Sequence, residues 1–116
     1  MNSVLPENLS LPEVAEALNI RLRDVRTLIS EHKLLATRPV GPLVVTSDQL
    51  IEEDGQWKVL GNLRGTLILL ADSGFSDDEA HNWLHREDAE LGKTPMEALR
   101  NGEHRAVRRI ASSLAY

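Results

Sequence analysis

Arg21, Arg23 and Arg26, followed by Thr27 and Ser30, put a dense row of hydrogen-bond donors on one short stretch of chain. A guanidinium is a planar fork that bridges two acceptors on a guanine edge or on one phosphate. Threonine adds a methyl group for thymine and a hydroxyl for phosphate. These residue types suit binding to an ordered polyanion better than they suit bond making. From Arg21 to Arg38 the cations Arg21, Arg23, Arg26, Lys33 and Arg38 stand against Asp24 and Glu31, a net of three positive charges. The chain as a whole has the opposite sign, with 18 acidic and 13 basic residues and a formal net charge of −5. Its overall field therefore repels a polyanion, so any nucleic-acid contact is confined to a local patch docked by fit.

Other candidate chemistry is thin. His81 and His85 are four residues apart, which on a helix puts two imidazoles within reach of one metal. Position 82, however, is Asn82 rather than the glutamate of a zinc-protease helix, and no third ligand is marked. Asp77-Asp78-Glu79 reads as the negative start of a helix rather than an acid-base pair. Cysteine is absent, and there is no glycine-rich phosphate loop or nucleophile motif, so neither an enzyme, a metal nor a cofactor is expected. The apolar run Leu67 to Ala71 is too short to span a bilayer, and Met1 to Asn8 lacks the basic and apolar parts of a secretion signal. The expectation is a cytoplasmic protein without a membrane partner, associated with the nucleoid when bound to DNA.

The arginines need elements to hold them. Ser10-Leu11-Pro12-Glu13 is a capping box, and Leu11, Val14, Ala15 and Leu18 recur at helical spacing. Asn19-Ile20 supplies the break, because Asn tolerates the left-handed conformation of a tight inter-helix turn. A second helix then runs over about 22–31. On its wheel Leu22, Val25, Leu28 and Ile29 share one side, and Arg23 and Thr27 lie near the middle of the other, flanked by Asp24, Arg26 and Ser30. That face predicts base contacts from Arg23, Arg26 and Thr27 in the major groove. Arg21, Lys33 and Arg38 are expected on phosphates. The plain alternative is a solvated charged face on an ordinary helical hairpin. The next segment weighs against it, since Leu35 to Arg38, the turn Pro39-Val40-Gly41-Pro42, and Leu43 to Thr46 read as two strands about a turn. A hairpin directly after a recognition helix is the wing of a winged helix-turn-helix. Arg38 stands near its tip, within reach of an adjacent backbone or minor groove.

Downstream the chain turns helical. Ser47 to Leu50 predicts a short helix ending near Glu53, and Asp54-Gly55 a turn before Trp57 to Leu60. Gly61 and Gly65 are expected to bracket a loop. Thr66 to Ser73 then forms a buried helix closed by Gly74, with a strand as the lesser alternative. Ser76 to Glu79 and Thr94 to Glu97 are two more capping boxes, with Ala80, Trp83 and Leu84 inward on the first of those helices. A last helix from Glu103 to about Ala115 carries Val107, Ile110, Ala111 and Leu114 on one side and Arg105, Arg108 and Arg109 elsewhere. Those arginines either add a second phosphate contact or pair with acids and helix-end carbonyls. The fold class expected is mainly α: a winged helix-turn-helix with a two-stranded hairpin wing over 1–60, then a helical bundle over 61–116. At 116 residues this is one compact domain or two half-sized units.

The runs Leu11-Pro12-Glu13-Val14-Ala15-Glu16-Ala17-Leu18, Gly65-Thr66-Leu67, Ser73-Gly74-Phe75-Ser76-Asp77, Trp83-Leu84, Pro95-Met96-Glu97-Ala98-Leu99 and Ala115-Tyr116 are similar to the small actinobacterial winged helix-turn-helix DNA-binding proteins. Trp83-Leu84, Gly92-Lys93-Thr94-Pro95 and Ala98-Leu99-Arg100-Asn101-Gly102 also resemble the C-terminal domain of Xre/MbcA/ParS-type antitoxins. The first resemblance implies a transcriptional regulator or nucleoid protein that binds double-stranded DNA, with its recognition helix at about 21–31. The second implies an alternative, a protein-interaction module whose C-terminal helices hold a protein partner. A homodimer is compatible with either. The chain departs from the first pattern in starting close to its first helix, with Ser3 as the obvious tail hydroxyl open to phosphorylation.

Overall fold

A computed structural model describes residues 5–114 of the chain; Ser3, Ala115 and Tyr116 lie outside the described residues. The chain divides into two compact units, one up to Val59 and one from Leu60 on.

In the N-terminal unit β1 (Asn8–Ser10) runs into α1 (Leu11–Leu18), capped as its sequence requires. The Ser10 hydroxyl accepts from the Glu13 amide at 3.2 Å, and Glu13 accepts from the Ser10 amide at 2.8 Å. Asn19 ends the helix in the left-handed region, with φ 57° and ψ 48°. α2 (Leu22–Ser30) comes next, then β2 (Ala36–Thr37) and β3 (Val44–Thr46). The wing is part of a three-stranded antiparallel sheet of order β1-β3-β2, rather than an isolated two-stranded hairpin. Leu9 and Ala36 flank Val45 from either side. Val14, Val25, Leu34, Val45 and Leu50 are buried together with Leu9 and form the core that fixes α2 against the sheet.

The short helix expected from Ser47 to Glu53 is corrected. A single 3-10 turn, Ser47–Gln49, leads into β4 (Leu50–Glu53), which pairs with β5 (Gln56–Val59). Asp54 and Gly55 join them at φ 52° and 77°, the paired left-handed geometry of a tight hairpin turn. Strand pairing across that turn outweighs the helix-start signal at Ser47, because Leu50 is fully buried in the unit's core.

The C-terminal unit holds α3 (Leu63–Asp72), α4 (Asp77–Leu84), α5 (Pro95–Arg100) and α6 (His104–Ser112). Gly65 lies inside α3 and not at the end of a loop, because Leu63 and Leu67 are buried and carry the helix through it. Trp83 is half-buried, while Ala80 and Leu84 make the inward face of α4. The capping boxes of α4 and α5 form as expected, with Ser76 and Glu79 and then Thr94 and Glu97 exchanging hydrogen bonds of 2.9–3.1 Å. Val107 and Ala111 of α6 are fully buried.

The α5 cap makes this unit sensitive to acid. Hydrogen bonds from the Thr94 amide and hydroxyl hold the Glu97 carboxyl below the ordinary glutamate value, and Lys93, 2.8 Å from Glu103, does the same for Glu103. A carboxyl lowered on folding stabilises fully above its unfolded value, and that stabilisation is lost as pH falls through the folded value. Urea midpoints followed by Trp83 fluorescence are therefore expected to fall as the pH is lowered through the carboxylate range, and to fall less in Glu97→Gln. An equal acid dependence in that variant would remove Glu97 from the account.

Candidate nucleic-acid interface

α2 is held by one buried residue, Val25, and by the half-buried Leu28 and Ile29. Leu22, expected on the inward stripe, is 40% exposed. The first turn of α2 therefore stands proud of the core. Arg21, Arg23, Arg26, Thr27, Ser30, Lys33 and Arg38 are all exposed, but the structure sorts them into distinct groups.

Two of the five cations are already paired. Arg21 lies 3.8 Å from Asp24, whose carboxylate also accepts from the Arg21 amide at 3.2 Å and so caps the helix. Lys33 lies 3.5 Å from Glu31. Both acids of the stretch are thus matched to neighbouring cations, whereas among the described residues no carboxylate is paired with Arg23, Arg26 or Arg38. The net of three positive charges read from the sequence resides on those three arginines.

Their placement divides α2 along its length. Arg26 and Leu22 form one wall of a groove of about 250 Å³. Arg38, Pro42 and Leu43 of the wing form the other wall, and Ser10, Leu11 and Pro12 at the start of α1 close its end. Two guanidinium groups share a groove that no acidic side chain lines. Thr27 borders a separate apolar depression with Asp24, Leu28, Trp57 and Lys58, on the side of the second hairpin. Arg26 is thus turned toward the wing and Thr27 away from it. The Thr27 hydroxyl donates to the Arg23 carbonyl at 3.1 Å and Ser30 to the Thr27 carbonyl at 2.9 Å, so each keeps acceptor capacity outward.

Gln49, which sequence reasoning passed over as part of a helix start, anchors the wing. It is 2% exposed. Its Oε1 accepts from the Leu35 amide at 2.8 Å, and its Nε2 donates to the Leu35 carbonyl at 2.9 Å and to the Thr46 hydroxyl at 3.1 Å. One side chain thereby ties the start of β2 to the end of β3, and with them the position of Arg38. No local pattern marks it, since its partner Leu35 is 14 residues away. At the wing tip Val40 is 87% exposed between Pro39 and Pro42.

Apart from Asp24 and Glu31, already matched to Arg21 and Lys33, the acids of this unit lie on other segments, among them Glu13 and Glu16 on α1 and Glu52, Glu53 and Asp54 on the second hairpin. That separation leaves the outer side of α2 and the wing groove positive within a unit that is negative overall. Among the described residues no group of three or more ligating side chains forms a metal site, and no helix is long and apolar enough to cross a membrane. The His81 and His85 ring centroids lie 4.5 Å apart with the rings tilted by 36°, and His85 Nδ1 is 2.9 Å from the His81 carbonyl.

Residues 2–48 match the family described as DNA-binding protein Rv2175c, wHTH domain, and residues 60–115 match its C-terminal domain of unknown function. The second hairpin falls between the two matches. DNA-binding protein Rv2175c of Mycobacterium tuberculosis (strain ATCC 25618 / H37Rv) is 32% identical over 118 residues, covering 91% of this chain and 79% of that protein. The NMR structure of Rv2175c superposes with a TM-score of 0.81 at 30% identity, over 99% of this chain and 87% of that one. With its winged helix-turn-helix and its helical C-terminal unit both matched, the chain belongs to the Rv2175c family.

Proposed function

We propose that this chain binds double-stranded DNA through its N-terminal unit and acts as a transcriptional regulator. α2 enters the major groove and the wing lies against the adjoining backbone. The observation that carries this reading is the segregation of charge: Arg23, Arg26 and Arg38 are left without acidic partners among the described residues, and two of them line one groove between helix and wing. The name of the mycobacterial relative, a DNA-binding protein, agrees with it. Arg23 and Arg26 are assigned to base edges, where a guanidinium meets guanine O6 and N7. Arg38 is assigned to phosphate, with the uncharged Val40 tip tracking the groove beside it.

The test is a titration of duplex DNA over a series of salt concentrations. Each phosphate neutralised contributes a slope of roughly −0.9 to the plot of log affinity against log salt, so the Arg38 contact predicts a slope of about −1, steepened by every further phosphate contact. A folded protein that binds without salt dependence, or not at all, would overturn the assignment. Selection from a random duplex pool then addresses regulation: a recovered consensus supports sequence-directed control, and its absence argues for general coating of DNA.

A further inference from the structure

The C-terminal unit carries a feature that DNA binding by the N-terminal unit leaves unused. Gly65 sits in the interior of α3, where glycine disfavours the helix. The guanidinium of Arg108, from α6, lies directly against it. A Cβ at position 65 would come within 2.6 Å of Cζ and closer still to Nη2. The missing side chain is a seat for a planar cation.

Among the described residues the seated arginine has no acid to hold it, unlike its neighbour Arg109. Arg109, next in sequence, pairs with Glu90, which holds its guanidinium more firmly in the charged form, and Lys93 pairs with Glu103. Among the described residues no carboxylate is paired with Arg108 or with Arg105, one turn earlier on the same exposed face of α6. On the inward side of α6 Val107 and Ala111 are fully buried. We infer that Arg105 and Arg108 form a second anion-binding face, which takes the phosphate backbone of duplex DNA without reading its bases.

Three physical points favour that ligand. A guanidinium laid on a helix backbone has already lost much of its rotamer freedom, so less is lost when it grips an anion. Residues three apart on a helix have Cβ atoms about 5–6 Å apart, which lets two long cationic side chains reach successive anionic groups of one strand. Between the arginines and after them, the outward side of α6 offers Arg109, already paired, and Ser112, with no amide side chain to sort bases. Two guanidiniums spaced along one exposed helix face, without other base-reading side chains beside them, suit the repeating phosphates of a backbone.

The inference rests on the reading of the chain as a duplex binder, and the experiment separates the two. The full chain is titrated with two duplexes of unrelated sequence over a salt series. It is compared with Arg105→Gln/Arg108→Gln, with Gly65→Ala and with Arg23→Ala/Arg26→Ala. The α6 double variant is expected to lose about two from the salt slope and roughly tenfold in affinity at about 0.1 M salt, equally on both duplexes. Gly65→Ala favours helix and evicts only the flexible end of Arg108, so a loss of about one from the slope in a protein of unchanged or raised melting temperature is the signature of the seat. An unchanged slope in the folded α6 double variant overturns the second face and leaves the N-terminal assignment standing. Full affinity in Arg23→Ala/Arg26→Ala with a reduced slope in the α6 variant does the reverse.

Discussion

Gln49→Leu is expected to lower the stability of the N-terminal unit by about 3 kcal/mol, because the Leu35 amide and carbonyl lose their partner in a site closed to water. The Leu35 amide and carbonyl both rely on this side chain, at 2.8 Å and 2.9 Å, and the Thr46 hydroxyl accepts its remaining bond. Leucine keeps the apolar bulk, so little of the loss comes from a cavity. An unpaired buried amide or carbonyl costs about 1–3 kcal/mol, against a total stability of about 5–15 kcal/mol for a small domain. Gln49→Glu is expected to be worse. It retains the acceptor for the Leu35 amide but points a carboxylate oxygen at the Leu35 carbonyl and buries a charge. The two tryptophans give a direct readout, since Trp57 lies in the N-terminal unit and Trp83 in the C-terminal one. Urea unfolding in a Trp83→Phe background reports the unit that contains Gln49. A loss below about 0.5 kcal/mol would mean that the wing root closes by other means.

That glutamine marks the boundary of what the sequence makes legible. The capping boxes at Ser10, Ser76 and Thr94 could be read directly, because both halves of each box lie three residues apart and the chemistry is complete within one turn. Asn19 and the Asp54-Gly55 turn could be read for the same reason, as local demands on φ. Contacts between distant residues could not. β1 is three residues long and exists because Leu9 meets Val45 across the sheet. β4 hides behind a helix-start signal until its partner β5 is in place. Gly65 looks like a loop residue by propensity, and it takes the buried neighbours Leu63 and Leu67 to place it in a helix and the approach of Arg108 from α6 to explain why that position has no side chain. In the candidate interface, residue types were legible and their pairing was not. The wheel put Arg23 and Thr27 at the centre because it knows nothing of the wing, whose groove Arg26 and Arg38 line. It also could not show that Asp24 and Glu31 are matched to Arg21 and Lys33.

Those ion pairs lead to the sharpest expectation for DNA. Arg23→Ala/Arg26→Ala is expected to weaken duplex binding by about 2–6 kcal/mol, at roughly 1–3 kcal/mol for each bidentate contact, and to relax sequence preference. Both side chains are exposed and alanine favours the helix, so α2 itself is expected to survive. Glu31→Ala/Lys33→Ala removes a cation as well, yet it removes the carboxylate 3.5 Å away and leaves the local charge unchanged. Its expected effect is within about threefold, because an exposed pair is worth about 0–1 kcal/mol and presents little net field to a phosphate. Arg38→Ala lies between these. It is expected to reduce the salt slope by about one with equal losses on every sequence, as a phosphate contact does. The three variants together test the division of labour and not merely the presence of positive charge. If patch charge alone mattered, Arg23→Ala/Arg26→Ala would weaken every duplex alike and leave the order of preference among sequences intact. If docked arginines matter, its losses concentrate on preferred sites, because a guanidinium that bridges guanine O6 and N7 contributes only where that base stands.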